Sequence, residues 1–169
     1  MKEYFDICTI DRNSLGKICE RGSRLNKSEY HVVAMAILIN KQDEVLLTRR
    51  SKNKTSAGMW ECTAGSVLAG EKSRDAIIRE IKEELGIKVE IKERPISEYI
   101  ENDAIFDLWM ADNIEYKIDD LTLQKEEVDE AGYKTLNEIK DIIKSGTATK
   151  CLNEIVKLNN IGLIKIKEN

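Results

Sequence analysis

Three carboxylates in the stretch from residue 73 to residue 85 could together hold one metal ion. On a helix with about 100° between successive residues, Glu80, Glu83 and Glu84 fall within about 100° of arc. An apolar stripe adjoins them and is formed by Ile77, Ile78, Ile81 and Leu85. Carboxylate oxygens are preferred ligands of Mg²⁺ and Mn²⁺, whereas a solvated acidic face is the alternative interpretation. Like charges at this spacing repel, so a partly buried cluster would require cations.

The elements that must position these acids follow from hydrophobic periodicity and turn residues. Ser73 is expected to cap the acidic helix, and Gly86 to end it in the left-handed conformation. Thr135 and Glu138 form a capping-box pattern for a second helix. Helices are predicted at 73–85, 135–143 and 149–158, and strands at 4–10, 16–20, 31–40, 44–49, 60–64, 87–100 and 104–112. Strands mixed with few helices predict a layered α/β (α+β) domain.

The composition favours one domain with its own core. The chain has 169 residues, which fit a single domain. We divide it into an N-terminal hairpin and loop (1–30), a core (31–145) and a C-terminal helical extension (146–169). The net charge of −4 gives no basic face for duplex nucleic acid.

The hydropathy of the chain predicts neither a membrane span nor a secretory signal. The longest uninterrupted apolar run, 32–39, has eight residues, whereas a membrane-spanning helix needs about 20. Acidic residues near the N-terminus stand where a signal peptide requires an apolar region. We therefore expect a cytoplasmic protein.

The four cysteines include no C-x-x-C pair, which argues against a structural zinc site. Cys8 and Cys19 could face each other across the N-terminal hairpin. A redox bridge is one interpretation of that pair. Two reduced, small apolar side chains are the other, and a reducing cytosol favours it.

A longer motif surrounds the three acids. Gly65 is followed after five residues by Glu71, and after seven more by Arg79-Glu80-Ile81-Lys82-Glu83-Glu84-Leu85-Gly86-Ile87. This matches the Nudix box, G-x5-E-x7-R-E-U-x-E-E-x-G-U with U aliphatic, at every specified position. The chain therefore resembles a Nudix hydrolase. The resemblance implies a Nudix fold, with a mixed β-sheet sandwiched between helices. It also implies hydrolysis of a nucleoside diphosphate linked to another group, with Mg²⁺ or Mn²⁺.

The resemblance assigns roles within the box. The implied metal ligands are Glu80, Glu83, Glu84 and the carbonyl of Gly65. Glu80 is also the implied base that deprotonates the attacking water. Arg79 belongs to the same catalytic group, and its salt bridge to Glu71 would orient the carboxylates. Metal ions would neutralise the diphosphate and lower the pKa of the water.

Other residues are candidates outside the box. Nudix proteins often add one acidic residue from a later loop, and we favour Glu127 over Glu126 for it, with an exposed acidic loop as the alternative. Arg49 and Arg50 end a strand near the box and could bind substrate phosphate. Because neighbouring strand residues alternate in direction, we expect one of them to point to solvent.

Several segments also resemble the branch related to isopentenyl-diphosphate isomerase: Arg21-Gly22, Glu29-Tyr30-His31, Leu46 to Ser51, and Gly58-Met59-Trp60. Isomerase activity is therefore an alternative. However, Ala64 stands where the isomerases have a catalytic cysteine, and Ser66 where they have a metal-binding histidine. Cys62 lies two residues too early. His31 matches another metal-binding histidine of the isomerases, although a hydrogen-bonded histidine at a strand start is the favoured interpretation.

A further alternative is a binding or regulatory module without catalysis. The intact acidic triad argues against it, because such a module has no need to retain mutually repelling charges. The expected partner is a small-molecule diphosphate, and the box does not identify it. Loops around 21–30, 51–58 and 113–127 are expected to set specificity. The oligomeric state is left open, with a homodimer as one option.

Overall fold

The computed structural model describes residues 2–169, which form nine strands, three α-helices and one short 3₁₀ helix (Ile118–Asp120). The strands are β1 (Tyr4–Cys8), β2 (Ser14–Glu20), β3 (His31–Asn40), β4 (Val45–Arg50), β5 (Trp60–Glu61), β6 (Ala64–Ser66), β7 (Ser97–Glu101), β8 (Ala104–Ile114) and β9 (Val128–Lys134). The helices are α1 (Ser73–Leu85), α2 (Leu136–Lys144) and α3 (Cys151–Asn160). Within these described residues, no helix is both long and apolar enough to cross a membrane.

The main sheet has seven strands with β3 at its centre. Its strand order is β5-β4-β3-β8-β7, while β6 pairs with β3 and β9 pairs with β4. The β3–β8 pair is parallel, and the other pairs are antiparallel. The sheet is therefore mixed, as the resemblance to Nudix hydrolases implies.

Helices cover both faces of this sheet because successive residues of β3 point to opposite sides. Ala34, Ala36 and Leu38 face the cluster that contains the apolar stripe of α1. Met35, Ile37 and Ile39 face the cluster that contains α2 and α3. The predicted arrangement of a mixed sheet between helices is confirmed.

The N-terminal strands form a separate two-stranded sheet, β1–β2. The hairpin is joined to the main sheet by Arg12, which forms an ion pair with the buried carboxylate of Asp107. The pairing register places Phe5 opposite Cys19 and Cys8 opposite Ser14. Cys8 and Cys19 are therefore not partners across the hairpin.

The predicted strand at 87–100 is wrong over most of its length, because only Ser97–Glu101 is a strand. Ile87 and Ile91 are buried in the α1 cluster, so their apolar spacing reflects packing under the helix instead of sheet pairing. Pro95 has no N–H to donate to a ladder. Strand β7 accordingly begins two residues after it.

The predicted strand at 60–64 consists of two short strands with different partners, since β5 pairs with β4 and β6 with β3. The prediction that Ser73 caps α1 is also wrong. Lys72 occupies that position without a side-chain cap, and Ser73 Oγ instead accepts a hydrogen bond from Trp109 Nε1 at 2.9 Å. Gly86 has the predicted left-handed conformation, with φ of 73°.

The predicted apolar stripe of α1 is confirmed except at one residue, and the predicted cap of α2 is present. Ile77, Ile81 and Leu85 are buried, whereas Ile78 is exposed, contrary to prediction. The capping box of Thr135 and Glu138 at α2 is confirmed.

Candidate active site

The acids of α1 face the end of β6, because α1 packs against β3 and β6. Glu80 lies directly against Gly65. A Cβ added to residue 65 would lie 2.6 Å from Glu80 Cγ, and nearer still to the carboxylate. Only glycine therefore leaves room for Glu80 in this position. Burial raises the pKa of Glu80, although Arg79 acts in the opposite direction.

Glu84 is the most buried of the three acids, with 3% of its surface exposed. Burial is the main reason why its pKa is raised to about 8. The carboxylates of Glu80, Glu61 and Glu127 act in the same direction, while Lys54 opposes them. A buried carboxyl among other acids favours a cation as its partner.

Arg79 holds the acids in place through four carboxylate oxygens. Its guanidinium donates to both oxygens of Glu71 at 2.9 Å. Its Nη1 donates to Glu80 at 2.6 Å and to Glu83 at 3.2 Å. The hydrogen bond to Glu71 is the largest cause of the raised pKa of Arg79, so the guanidinium stays charged. The structure thus contains the Arg79–Glu71 salt bridge that the resemblance implies.

The carboxylates surround a small cavity of about 60 Å³. Its acidic wall consists of Glu3, Glu80, Glu83, Glu84 and Glu127. Gly65 contributes backbone, and two cations, Arg21 and Lys54, stand at its edge. We call this space the acidic cavity. Glu126 does not line it, so the structure places the favoured loop residue, Glu127, beside the acids of α1.

Lys54 was not identified from the sequence. Its ammonium forms an ion pair with Glu127 and lies 4.0 Å from Glu84 Oε1. The loop that carries it is tied to the Glu127 loop, because Ser51 Oγ donates to the carbonyl of Glu126 at 2.7 Å. A lysine in a polar loop has no sequence signal that separates it from solvent-exposed lysines, so only the fold reveals its place.

The acidic cavity supplies the oxygen donors that a hard divalent cation prefers. Among residues 2–169, however, no three or more His, Cys, Asp or Glu side chains are arranged closely enough to hold one metal ion. The carboxylates instead contact Arg79 and Lys54. The predicted ligands Glu80, Glu83, Glu84 and Gly65 therefore share one cavity, and their carboxylates would have to converge further to bind one metal ion together.

A second cavity of about 500 Å³ adjoins the first, since both are lined by Arg21, Lys54, Ala64 and Gly65. We call it the large cavity. Its apolar wall includes Met35, Met59, Tyr99 and Phe106. The rings of Tyr99 and Phe106 stack with centroids 4.6 Å apart. Such a wall suits an organic group, with polar and charged residues elsewhere on the lining.

The two arginines at the end of β4 diverge, as strand alternation predicts. Arg50 lines the large cavity and donates to both oxygens of Glu61 at 2.7 Å. Arg49 points the other way, to Glu130 at 3.3 Å and to the carbonyl of Gly58 at 3.1 Å. Arg49 lines neither cavity, so of the two arginines only Arg50 lies where a phosphate in these cavities could reach it.

Two residues of the isomerase resemblance lie away from both cavities. His31 stacks on Phe5, with centroids 4.4 Å apart, and its buried Nδ1 has no hydrogen-bond partner in the described part of the chain. The prediction that His31 is hydrogen-bonded is therefore wrong for Nδ1. Cys62 is fully buried, and its N–H donates to Cys151 Sγ at 3.4 Å.

Comparison with known proteins agrees with this geometry. The NUDIX domain family matches residues 29–152. An uncharacterised Nudix hydrolase of Listeria monocytogenes is 33% identical over 163 residues, which cover 94% of this chain and 96% of that protein. The CTP pyrophosphohydrolase of Escherichia coli is 36% identical over 62 residues, 37% of this chain and 46% of that protein.

Solved structures share the fold. DR0079 from Deinococcus radiodurans superposes with a TM-score of 0.76 at 19% identity, covering 92% of this chain and 98% of that one. The Nudix domain of Shewanella oneidensis NrtR, solved with ADP-ribose, gives a TM-score of 0.61 at 16% identity, covering 79% and 88%. The chain belongs to the Nudix family and is a hydrolase that acts on pyrophosphate bonds.

Proposed function

We propose that the protein is a Mg²⁺- or Mn²⁺-dependent pyrophosphohydrolase that cleaves the diphosphate linkage of a nucleoside diphosphate joined to another group. The observation that carries this proposal is the junction of the two cavities at Gly65 and Ala64. A diphosphate at this junction would lie beside the acids, with an organic group in the large cavity.

The donor set fits the expected metal. Glu80, Glu83, Glu84 and Glu127 offer carboxylate oxygens around one cavity, and the carbonyl of Gly65 is a further hard donor. The raised pKa of Glu84 indicates a desolvated carboxyl group. A bound divalent cation would offset the cost of burying its negative charge. When bound, the metal would neutralise the diphosphate and acidify the attacking water.

Glu80 is the residue that we assign as the base. Its Oε1 accepts the hydrogen bond from Arg79, which leaves Oε2 free to accept the proton of a water molecule. Gly65 and Arg79 restrict the carboxylate to one orientation. Glu71 acts indirectly, because it orients the Arg79 guanidinium, which in turn orients Glu80.

A nucleoside diphosphate is the substrate class that we favour. The volume and aromatic wall of the large cavity accommodate a base or sugar. Relatives support this choice, since one is a CTP pyrophosphohydrolase and the NrtR Nudix domain was solved with ADP-ribose. The isomerase alternative has less support. Ala64, which stands at the cysteine position of the isomerases, lines the junction, and the nearby thiol of Cys62 is buried away from it.

A substrate panel tests the proposal. Nucleotide sugars, dinucleoside polyphosphates, nucleoside triphosphates and isopentenyl diphosphate are incubated with Mg²⁺, Mn²⁺ or EDTA, and products are identified by mass spectrometry. We expect metal-dependent hydrolysis of a nucleoside diphosphate compound, and a loss of kcat by orders of magnitude in Glu80→Gln. Hydrolysis that continues in EDTA, unchanged turnover in Glu80→Gln, or isomerisation alone would contradict the proposal.

A further inference from the structure

Arg21 lies at the open end of the N-terminal hairpin, outside residues 29–152 that match the family. It directly follows β2, and its N–H donates to the carbonyl of Glu3 at 2.9 Å. The guanidinium forms an ion pair with Glu3 at 2.6 Å. Arg21 lines both the acidic cavity and the large cavity. A residue from a segment beyond the matched domain therefore reaches the junction of the two cavities.

The hairpin is fastened to the loop that precedes α1, which fixes this placement. The N–H of Ala69 donates to the carbonyl of Tyr4 at 2.8 Å, and the N–H of Gly70 donates to Asp6 Oδ2 at 2.8 Å. Residues 69 and 70 lie within the box, between Gly65 and Glu71. Any motion of the hairpin is thus coupled to the segment that leads to the acids.

The ion pair with Glu3 leaves much of the Arg21 guanidinium accessible to a ligand. Its side chain is 55% exposed, so a ligand in either cavity can reach it. The hydrogen bond to Glu3 is the main cause of its raised pKa, and the carboxylates of Glu127 and Glu80 act in the same direction. Arg21 and these two acids line the same cavity, beside which a diphosphate would lie. Lys54, the other cation of the junction, is paired with Glu127.

We propose that Arg21 binds the phosphate of the substrate at the junction, so that the N-terminal hairpin is part of the substrate site. The planar guanidinium can donate two parallel hydrogen bonds to phosphate oxygens. In this role it exchanges Glu3 for the substrate. The inference rests on the proposed function, because it requires a diphosphate at that position.

A merely structural role is the alternative, in which the Glu3–Arg21 ion pair closes the end of the hairpin. Two substitutions separate the roles, since Arg21→Gln and Glu3→Gln break the same ion pair. If the pair is structural, both variants weaken ligand binding alike. If Arg21 binds phosphate, only Arg21→Gln weakens it. Glu3→Gln leaves it unchanged or strengthens it, because it frees the guanidinium and removes a negative charge.

The experiment is isothermal titration calorimetry of the full chain with methylene bisphosphonate, a non-hydrolysable diphosphate, in excess Mg²⁺. We expect Kd to rise about 10- to 100-fold in Arg21→Gln, the range for a lost charge-assisted hydrogen bond, and less in Arg21→Lys. Arg24→Gln is the matched control, because Arg24 is exposed and lines neither cavity, and its Kd should stay within about twofold. Mg²⁺ alone should bind Arg21→Gln at least as tightly as the wild type.

The outcomes distinguish this inference from the proposed function. Equal Kd values for wild type and Arg21→Gln, or equal weakening in Arg21→Gln and Glu3→Gln, would overturn the role of Arg21 while wild-type hydrolysis continues. A wild type that neither binds the bisphosphonate nor hydrolyses any diphosphate would overturn both.

Discussion

The side chain of Glu80 occupies the space that a side chain on residue 65 would need, because a Cβ there would lie 2.6 Å from Glu80 Cγ. Gly65 has no left-handed backbone that would itself require glycine. The requirement is therefore one of space. Gly65 and Glu80 lie 15 positions apart in the sequence, and the missing side chain of the glycine creates the space in which the proposed base lies.

Gly65→Ala is expected to abolish most activity while leaving the fold intact. The displaced group is the flexible end of Glu80, so the backbone need not move, and the thermal midpoint should change by a few degrees at most. We expect kcat to fall at least about 100-fold, as happens when a catalytic group is misplaced by about 1 Å. Gly132→Ala in β9 is the control, since its Cβ would meet Lys134 at an ordinary 3.6 Å. A wild-type kcat in Gly65→Ala would contradict the claim that Glu80 needs the space left by Gly65.

Glu84→Gln should stabilise the metal-free protein, and increasingly so as pH rises. The pKa of Glu84 in the folded state is about 8, above its ordinary value of 4.5. The folded state therefore binds more protons than the unfolded state between these values, and its stability falls as pH rises through that window. Removing the ionisable group removes this loss, which amounts to at most about 4 kcal/mol at pH 8.

The measurement is the thermal midpoint in EDTA at pH 5 and pH 8. Glu83→Gln is the matched control, because it removes the same charge from a half-exposed side chain of the same helix. A difference between Glu84→Gln and wild type that does not grow with pH would contradict the buried carboxyl.

Glu71→Gln should reduce activity through Arg79 without touching the acids of the cavity. The substitution weakens the paired hydrogen bonds that orient the guanidinium, and Arg79 in turn holds Glu80. Loss of such an outer partner typically costs about 10- to 100-fold in activity or metal affinity. Measured kcat and Mn²⁺ affinity should both decrease, and a change in neither would show that Glu80 is oriented without this chain of contacts.

Arg12→Ala should destabilise the protein more than Asp107→Asn. Asp107 is 4% exposed, and its ion pair with Arg12 connects the hairpin to the main sheet. Removing the arginine leaves a buried charge alone, which costs about 2 to 4 kcal/mol when one partner is partly exposed. Urea unfolding measures the difference, and the double variant should recover part of the loss. Equal stability of Arg12→Ala and wild type would contradict this connection.

The part of the site that lies within one segment of the chain could be predicted from the sequence. Glu80, Glu83 and Glu84 share a helical face because their spacing is three to four residues, and the Arg79–Glu71 pair follows from the box. Lys54 could not be found in this way. It lies in a loop whose position depends on hydrogen bonds to the distant Glu127 loop, which leave no local pattern.

The errors in the fold have a similar cause. The apolar spacing of Ile87 and Ile91 is the same for a strand and for an extended segment packed under a helix, so only the backbone partners decide. Ser73 is a good capping residue by type, yet its hydroxyl is used by Trp109, 36 residues away. Tertiary contacts therefore override local preference at both places.

Binding of Mn²⁺, followed by electron paramagnetic resonance, tests most directly whether the acids of α1 hold a divalent cation. At pH 8, where Glu84 with its pKa of about 8 is about half ionised before the metal binds, the wild type should bind the ion, and Glu84→Gln should weaken that binding at least about tenfold, since a buried ligand charge is lost. A wild type that binds no Mn²⁺ when saturated with methylene bisphosphonate, or a Glu84→Gln variant with unchanged affinity, would contradict the account.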